Sequence, residues 1–221
     1  MAIIIYVHGT NAKQKFNRTV IKGAGPFQEK SGMGPAEERA LKRLAGFPHA
    51  TVIGFFWNGQ ANSTARKDAA AQLYPQLKLI SGQPIVLVGH SHGGNVIGHA
   101  LCMCLANDTT VDSVYLFATP IMTGVGKAWI EGGSINRVGN GGLHTFSNPK
   151  DTVQVKLARV GNFFDKKKGS EGIDSSVGRQ IPTINDISIS PRSIGSWYSK
   201  SAHSAMRTAE AFNMAAQVLG K

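Results

Sequence analysis

The sequence predicts an α/β protein, a mostly parallel sheet of about six strands with helices on both faces. Two observations carry that expectation. Short, branched apolar runs at residues 3–7, 51–57, 85–88 and 114–118 are bounded by Gly, Pro or Asn-Gly and read as buried strands. Between them lie stretches of helical periodicity, at the spacing of right-handed crossovers that set strands parallel and cover both sheet faces. The 221 residues suffice for one substantial core and demand no second, so a single domain spanning 1–221 is expected. With 42% hydrophobic and 17% charged residues, disorder over the whole chain is excluded.

The first strand, residues 3–7, runs into His8-Gly9-Thr10-Asn11, a turn at the C-terminal edge of a buried parallel strand. Open α/β sheets carry their chemistry along that edge. Residues 13–34 lack a clean period and contain Gly23, Gly25, Pro26, Gly32 and Gly34, which predicts a long loop beside the same edge. A helix then starts at Pro35, with Glu37 and Glu38 in its first turn, and stops at Gly46 after Lys42 and Arg43. The strand at 51–57 is followed by the turn Asn58-Gly59 and a helix over 63–79, with Ala69, Leu73, Leu77 and Ile80 on one face. After the strand at 85–88, a helix over 95–105 places Val96, Ile97, Ala100, Leu101 and Leu105 at helical spacing.

The strand at 114–118 ends at Thr119-Pro120. Residues 121–142 are Gly-rich and hold Trp129 and Ile130, in a segment that either covers a cleft or simply connects. A strand at 143–147 breaks at Asn148-Pro149-Lys150-Asp151. Beyond Val155 the chain turns basic and Gly/Ser-rich, with Lys166-Lys167-Lys168 inside an expected solvated excursion at about 161–182. A last strand at 184–190 precedes a closing helix over 201–219, with Ala205, Ala209, Phe212 and Ala216 as its buried stripe.

The chemistry gathers at Gly89-His90-Ser91-His92-Gly93-Gly94, where the 85–88 strand turns into a helix. This is the context a G-x-S-x-G nucleophile elbow requires: the turn is too tight for side chains at Gly89 and Gly93, and it thrusts the serine hydroxyl above the sheet. A serine is a poor nucleophile at neutral pH, so Ser91 needs a histidine to take its proton and a carboxylate to orient that histidine. Seven histidines compete. His90 and His92 flank the serine and point away from it, His99 lies two turns along the helix, His8 belongs to the first turn, and His49 precedes a strand. His203 follows the last strand and opens the last helix, which gives the chain order Ser, acid, His.

Asp151, just beyond a strand end, is the expected acid, with Asp186, Asp174 and Asp165 as alternatives; Asp108 and Asp112 fall on the wrong side of the sheet. An aspartate in that position also readily closes a turn. Two backbone donors are needed for the oxyanion: the N–H of His92, at a helix N-terminus, and that of Thr10 in the first turn. His8, Gly9 and Trp129 are candidate substrate-binding residues. A zinc site built on His90 and His92 lacks a third ligand at a recognisable spacing, so neither a metal nor a cofactor is expected.

With the elbow at 85–94, His8-Gly9, Asp151 and His203, the chain resembles the lipase-type members of the α/β-hydrolase superfamily over nearly its whole length. The Phe55-Phe56-Trp57 segment and the stretch from Ala65-Arg66 to Leu73 also resemble small bacterial lipase-like hydrolases, some of which are interbacterial phospholipase effectors. The resemblance implies a compact α/β-hydrolase fold and hydrolysis of carboxylic esters, lipid or phospholipid acyl esters foremost, through a Ser-His-Asp triad. Thioesterase and peptidase activities use the same triad, and a non-catalytic interaction protein is the reading from another class. Against the full superfamily pattern the chain begins at what would be the third strand, so the two leading antiparallel strands are expected to be absent.

The 24 Lys and Arg against 13 Asp and Glu leave a formal charge of +11, which draws the surface toward anionic membranes or serves solubility alone. No nucleic-acid-binding pattern accompanies the charge, so no specific nucleic-acid partner is expected. Cys102 and Cys104 sit two apart on the elbow helix, point in different directions and cannot bridge each other. With no signal-like N-terminus and no apolar run of ~20 residues, the expected location is the cytoplasm, or export without a cleaved signal as a secretion-system effector.

Overall fold

Each apolar run pairs with a neighbour it meets only through a crossover. The computed structural model describes residues 1–9, 27–28, 33–60, 62–104, 108–120, 137–148, 150–151, 186–189, 191 and 199–221. Within them lie β1 (Ile3–Val7), β2 (Phe27–Gln28), α1 (Pro35–Ala45), β3 (Thr51–Phe55), α2 (Ser63–Leu79), β4 (Ile85–His90), α3 (His92–Cys104), β5 (Val111–Phe117), β6 (Val138–Ser147), β7 (Asp186–Ser188), α4 (Ser199–Ala205) and α5 (Ala209–Val218). The strand order is β2-β3-β1-β4-β5-β6-β7, with every pair parallel except β2 against β3. The chain leaves β1 toward β3 and returns to lay β4 on the other side, so the order reverses between β1 and β4. Ligand crevices of open α/β sheets form at such a reversal.

Strand alternation divides the core into two layers. Ile5, Val7, Ile85, Leu87, Val114 and Leu116 face α2 and α3, where they pack on Ala69, Leu73, Leu77, Val96, Ile97 and Leu101. Ile4, Tyr6, Val86, Val88, Tyr115 and Phe117 face the opposite way, against Leu41 and Leu44 of α1 and Phe212, Ala215 and Ala216 of α5. Helices on both faces explain why Ile85 to Val88 of β4 are apolar without a break: all six residues of the strand are buried.

The helix ends follow local chemistry. At Gly46, φ is 75°, and its N–H and that of Phe47 close back on the carbonyls of Arg43 and Lys42, a left-handed stop that a β-carbon would strain. Asn62 starts α2 by accepting from the N–H of Ala65 at 2.8 Å.

The sheet has seven strands among the described residues, in keeping with the expected mostly parallel sheet of about six. Three expectations need correction. The long loop at 13–34 contains β2, which pairs antiparallel with β3 through Phe27 against Phe55 and Gln28 against Gly54. Two residues carry no detectable period, which hid the strand. β6 begins at Val138, five residues before the apolar run, because Gly141 has no side chain to collide with Ser113: a β-carbon there would lie 2.6 Å from the Ser113 Cβ. The closing helix is two helices, separated at residues 206–208. The basic excursion at 161–182 lies outside the described residues.

Candidate active site

Ser91 sits between β4 and α3 with φ 55°, and its N–H extends the β4–β5 ladder by donating to the carbonyl of Phe117 at 2.9 Å. The carbonyl of Ser91 in turn accepts from Gly94 at 3.1 Å. A non-glycine residue in the left-handed region stores about 1–3 kcal/mol, which persists only where the surroundings over-determine it. Here they do. A β-carbon at Gly89 would lie 2.7 Å from the Gly94 Cα, and one at Gly93 would lie 2.6 Å from the carbonyl oxygen of His8. Gly94 is equally constrained, since a β-carbon there would run into the side chain of Thr119.

Across the strand-order reversal, the turn after β1 closes on the serine. A β-carbon on Gly9 would stand 2.7 Å from the Ser91 Cβ and 3.3 Å from its Oγ. His8 braces this turn. Its Nε2 accepts from the backbone N–H of Trp57 at 3.2 Å, which leaves the proton on Nδ1 to be donated to the Gly9 carbonyl at 2.7 Å. The Trp57 indole N–H donates to the His8 carbonyl at 2.8 Å, and the two rings stack with centroids 5.8 Å apart. Burial lowers the His8 pKa against two raising hydrogen bonds, so the imidazole is held neutral. Both ring nitrogens are engaged within the protein, so the side chain shapes the turn. Thr10 and Trp129 lie outside the described residues.

His203, in α4, donates from Nδ1 to the Asp151 carboxylate at 2.6 Å. Asp151 is 1% exposed and ends a turn in which its N–H bonds the Asn148 carbonyl and the N–H of Lys150 bonds the Asn148 side chain. This contact joins the expected acid to the expected base. Of the competing aspartates, Asp108 is exposed and paired with Arg137, and Asp112 accepts from the N–H of Ile85 at the opposite end of β4. Asp186 lies on β7, whereas Asp165 and Asp174 lie outside the described residues.

The two histidines beside Ser91 are tied down by contacts that no local pattern foretold. His90 donates from Nε2 to the carbonyl of His203 at 3.0 Å, and the two rings lie 4.8 Å apart. His92 accepts on Nδ1 from the amide of Asn95, 3.2 Å away, whose nitrogen also donates to the Pro120 carbonyl at 2.8 Å. Burial, then the Arg66 guanidinium and His203, push the His92 pKa down to about 3. Because His92 opens α3, its backbone N–H has no intrahelical acceptor and is free to face an anion. Asn95, a polar residue among the apolar positions of α3, was the legible hint of a polar site; Arg66, 1% exposed on the mixed helix α2, gave no such hint. Among the described residues no three His, Cys, Asp or Glu side chains come together as a metal site.

The arrangement is a hydroxyl at a strained turn, an imidazole held by a buried carboxylate, and an unspent backbone donor at a helix start. That set can move a proton off a nucleophile and receive negative charge on an oxygen.

No family model matches the chain, and no curated protein matches it in sequence. Solved structures similar to it include the esterase domain of a Rhodothermus marinus protein, 14% identical with a TM-score of 0.46 over 99% of this chain and 85% of that one. A putative esterase from Staphylococcus aureus is 12% identical with a TM-score of 0.45, over 100% of this chain and 76% of that one. Aspergillus fumigatus lipase B is 16% identical with a TM-score of 0.34; the match takes in 54% of this chain and only 24% of the lipase. The α/β architecture itself stands on the strand order and the two helical layers.

Proposed function

We propose that the protein is a serine hydrolase of carboxylic esters, with lipid or phospholipid acyl esters as its substrates. The observation that carries the proposal is the 2.6 Å hydrogen bond from His203 to buried Asp151, with the His203 carbonyl bonded to His90, the residue before a serine at a left-handed elbow. In this reading Ser91 Oγ attacks the ester carbonyl while His203 Nε2 takes its proton. Asp151 keeps the Nδ1–H tautomer and stabilises the imidazolium that forms. The carbonyl oxygen becomes an oxyanion, met by the N–H of His92 and by that of Thr10 from the turn that His8 braces. His203 returns the proton to the leaving alcohol, and water, deprotonated by the same imidazole, then releases the acid from the acyl-enzyme.

The choice of a lipid ester rests on the +11 formal charge, which concentrates anionic head groups at the surface. A fluorophosphonate probe tests the chemistry: wild type labels, and Ser91→Ala does not. Folded wild-type protein that resists the probe and leaves p-nitrophenyl esters intact ends the proposal. Hydrolysis of phospholipid vesicles with and without anionic lipid then tests the substrate, with faster turnover expected on the anionic ones.

A further inference from the structure

The imidazole of His203 is oriented through its Nδ1, but orientation alone does not fix where the ring stands relative to Ser91. That depends on the position of the backbone that carries it. α4 is only seven residues long; Ala202 and Ala205 within it and Met206 just beyond it are buried. One hydrogen bond runs directly between the strand that bears the nucleophile and the residue that bears the base: His90 Nε2–H to the His203 carbonyl, 3.0 Å. A carbonyl only accepts, so the proton resides on His90 Nε2. His90 is the last residue of β4, registered against Phe117 of β5, and is itself 7% exposed. Its ring is therefore fixed by the sheet before it reaches α4.

We infer that His90 is a positioning residue for the proposed reaction, tethering the backbone of His203 to the strand end that presents Ser91. The inference rests on the proposed triad and adds a member to it. His203 is then held at two points, its ring nitrogen by Asp151 and its carbonyl by His90, and the second hold sets the distance the proton must travel. Burial and the neighbouring His203 also keep the His90 pKa well below the ordinary imidazole range, so no second cation sits against the ring that becomes positive.

The chemistry of the donor suggests the variants. A glutamine amide nitrogen reaches about as far as His Nε2, whereas leucine fills similar space with no donor. His90→Leu is expected to lower kcat on p-nitrophenyl butyrate about 100-fold, the scale of a misplaced catalytic group, with KM little changed. His90→Gln is expected to stay within a few-fold of wild type. Should the leucine variant fail to fold, His90→Asn, whose amide falls one methylene short, is measured in its place with the same expected loss. Equal activity in the donor and non-donor variants, whether both high or both low, overturns the inference, because the tether would then be irrelevant or the ring itself would be what matters. Wild type that turns over the ester and loses activity with Ser91→Ala keeps the triad reading intact whatever His90 does. Folded wild type that is inert overturns both.

Discussion

Ser91 and Gly9 approach each other so closely that a single methyl group decides whether the elbow closes. The 2.7 Å separating a β-carbon at Gly9 from the Ser91 Cβ is less than real β-carbons tolerate, and neither backbone can yield easily. The Gly9 carbonyl is held by His8, and Ser91 is held by Phe117. Gly9→Ala should therefore displace the serine hydroxyl and slow fluorophosphonate labelling about 100-fold, the cost of roughly an ångström at a reacting group. Labelling at the wild-type rate in a folded variant would show that the turn has room after all. Gly89, Ser91 and Gly93 were legible because the elbow is a local structure whose steric demands fall within five residues. Asp151 and His203 lie 52 residues apart, so chain order and turn chemistry nominated them but could not bring them together. The bond from His90 to His203 spans 113 residues and ends on a backbone carbonyl, an acceptor every residue possesses, so nothing in the sequence marks it.

At the level of elements, the region that carries His203 owes its shape to Thr208. An apolar stripe through Ala205, Phe212 and Ala216 keeps helical period across the junction, and period alone predicts one helix. The chain instead breaks at residues 206–208. The Thr208 hydroxyl donates to the Ala205 carbonyl at 2.7 Å and accepts from the N–H of Ala211 at 3.4 Å, so it closes α4 and opens α5 with one side chain. Thr208→Ala should cost about 1 kcal/mol, seen as a lower urea midpoint at unchanged slope. An unchanged midpoint would mean that the break is set by packing alone. Long elements such as α1 and α2 were readable to within a residue because their periods, first turns and stops agree. β2 and the start of β6 were not: one is two residues long, and the other is a glycine strand whose pairing depends on what it lies against.

Across the whole molecule, four histidines are buried or half-buried in ways that lower their pKa values: His8, His90, His92 and His144. Burial is the leading cause in each, and three of the four surround Ser91. For a base depressed in the folded state, the unfolded chain takes up its proton first as pH falls. The stability these groups contribute is therefore complete above their ordinary value of 6.5 and is lost progressively below it, down to about 3 for His92. Each can remove as much as about 1.4 kcal/mol per pH unit within its window, so the losses compound where the windows overlap. Urea unfolding between pH 7.5 and 5 should show a plateau that bends downward through pH 6.5, before most carboxylates begin to titrate. His92→Gln, which cannot protonate, should shallow the slope between pH 6 and 5 by close to one proton. A flat profile over that range, or an unaltered slope in the variant, would place these imidazoles in surroundings that accept their charge. The same burial that keeps His90 and His92 neutral beside Ser91 would then be missing, and with it the reason to expect His203 to be the one imidazole there that accepts the serine proton.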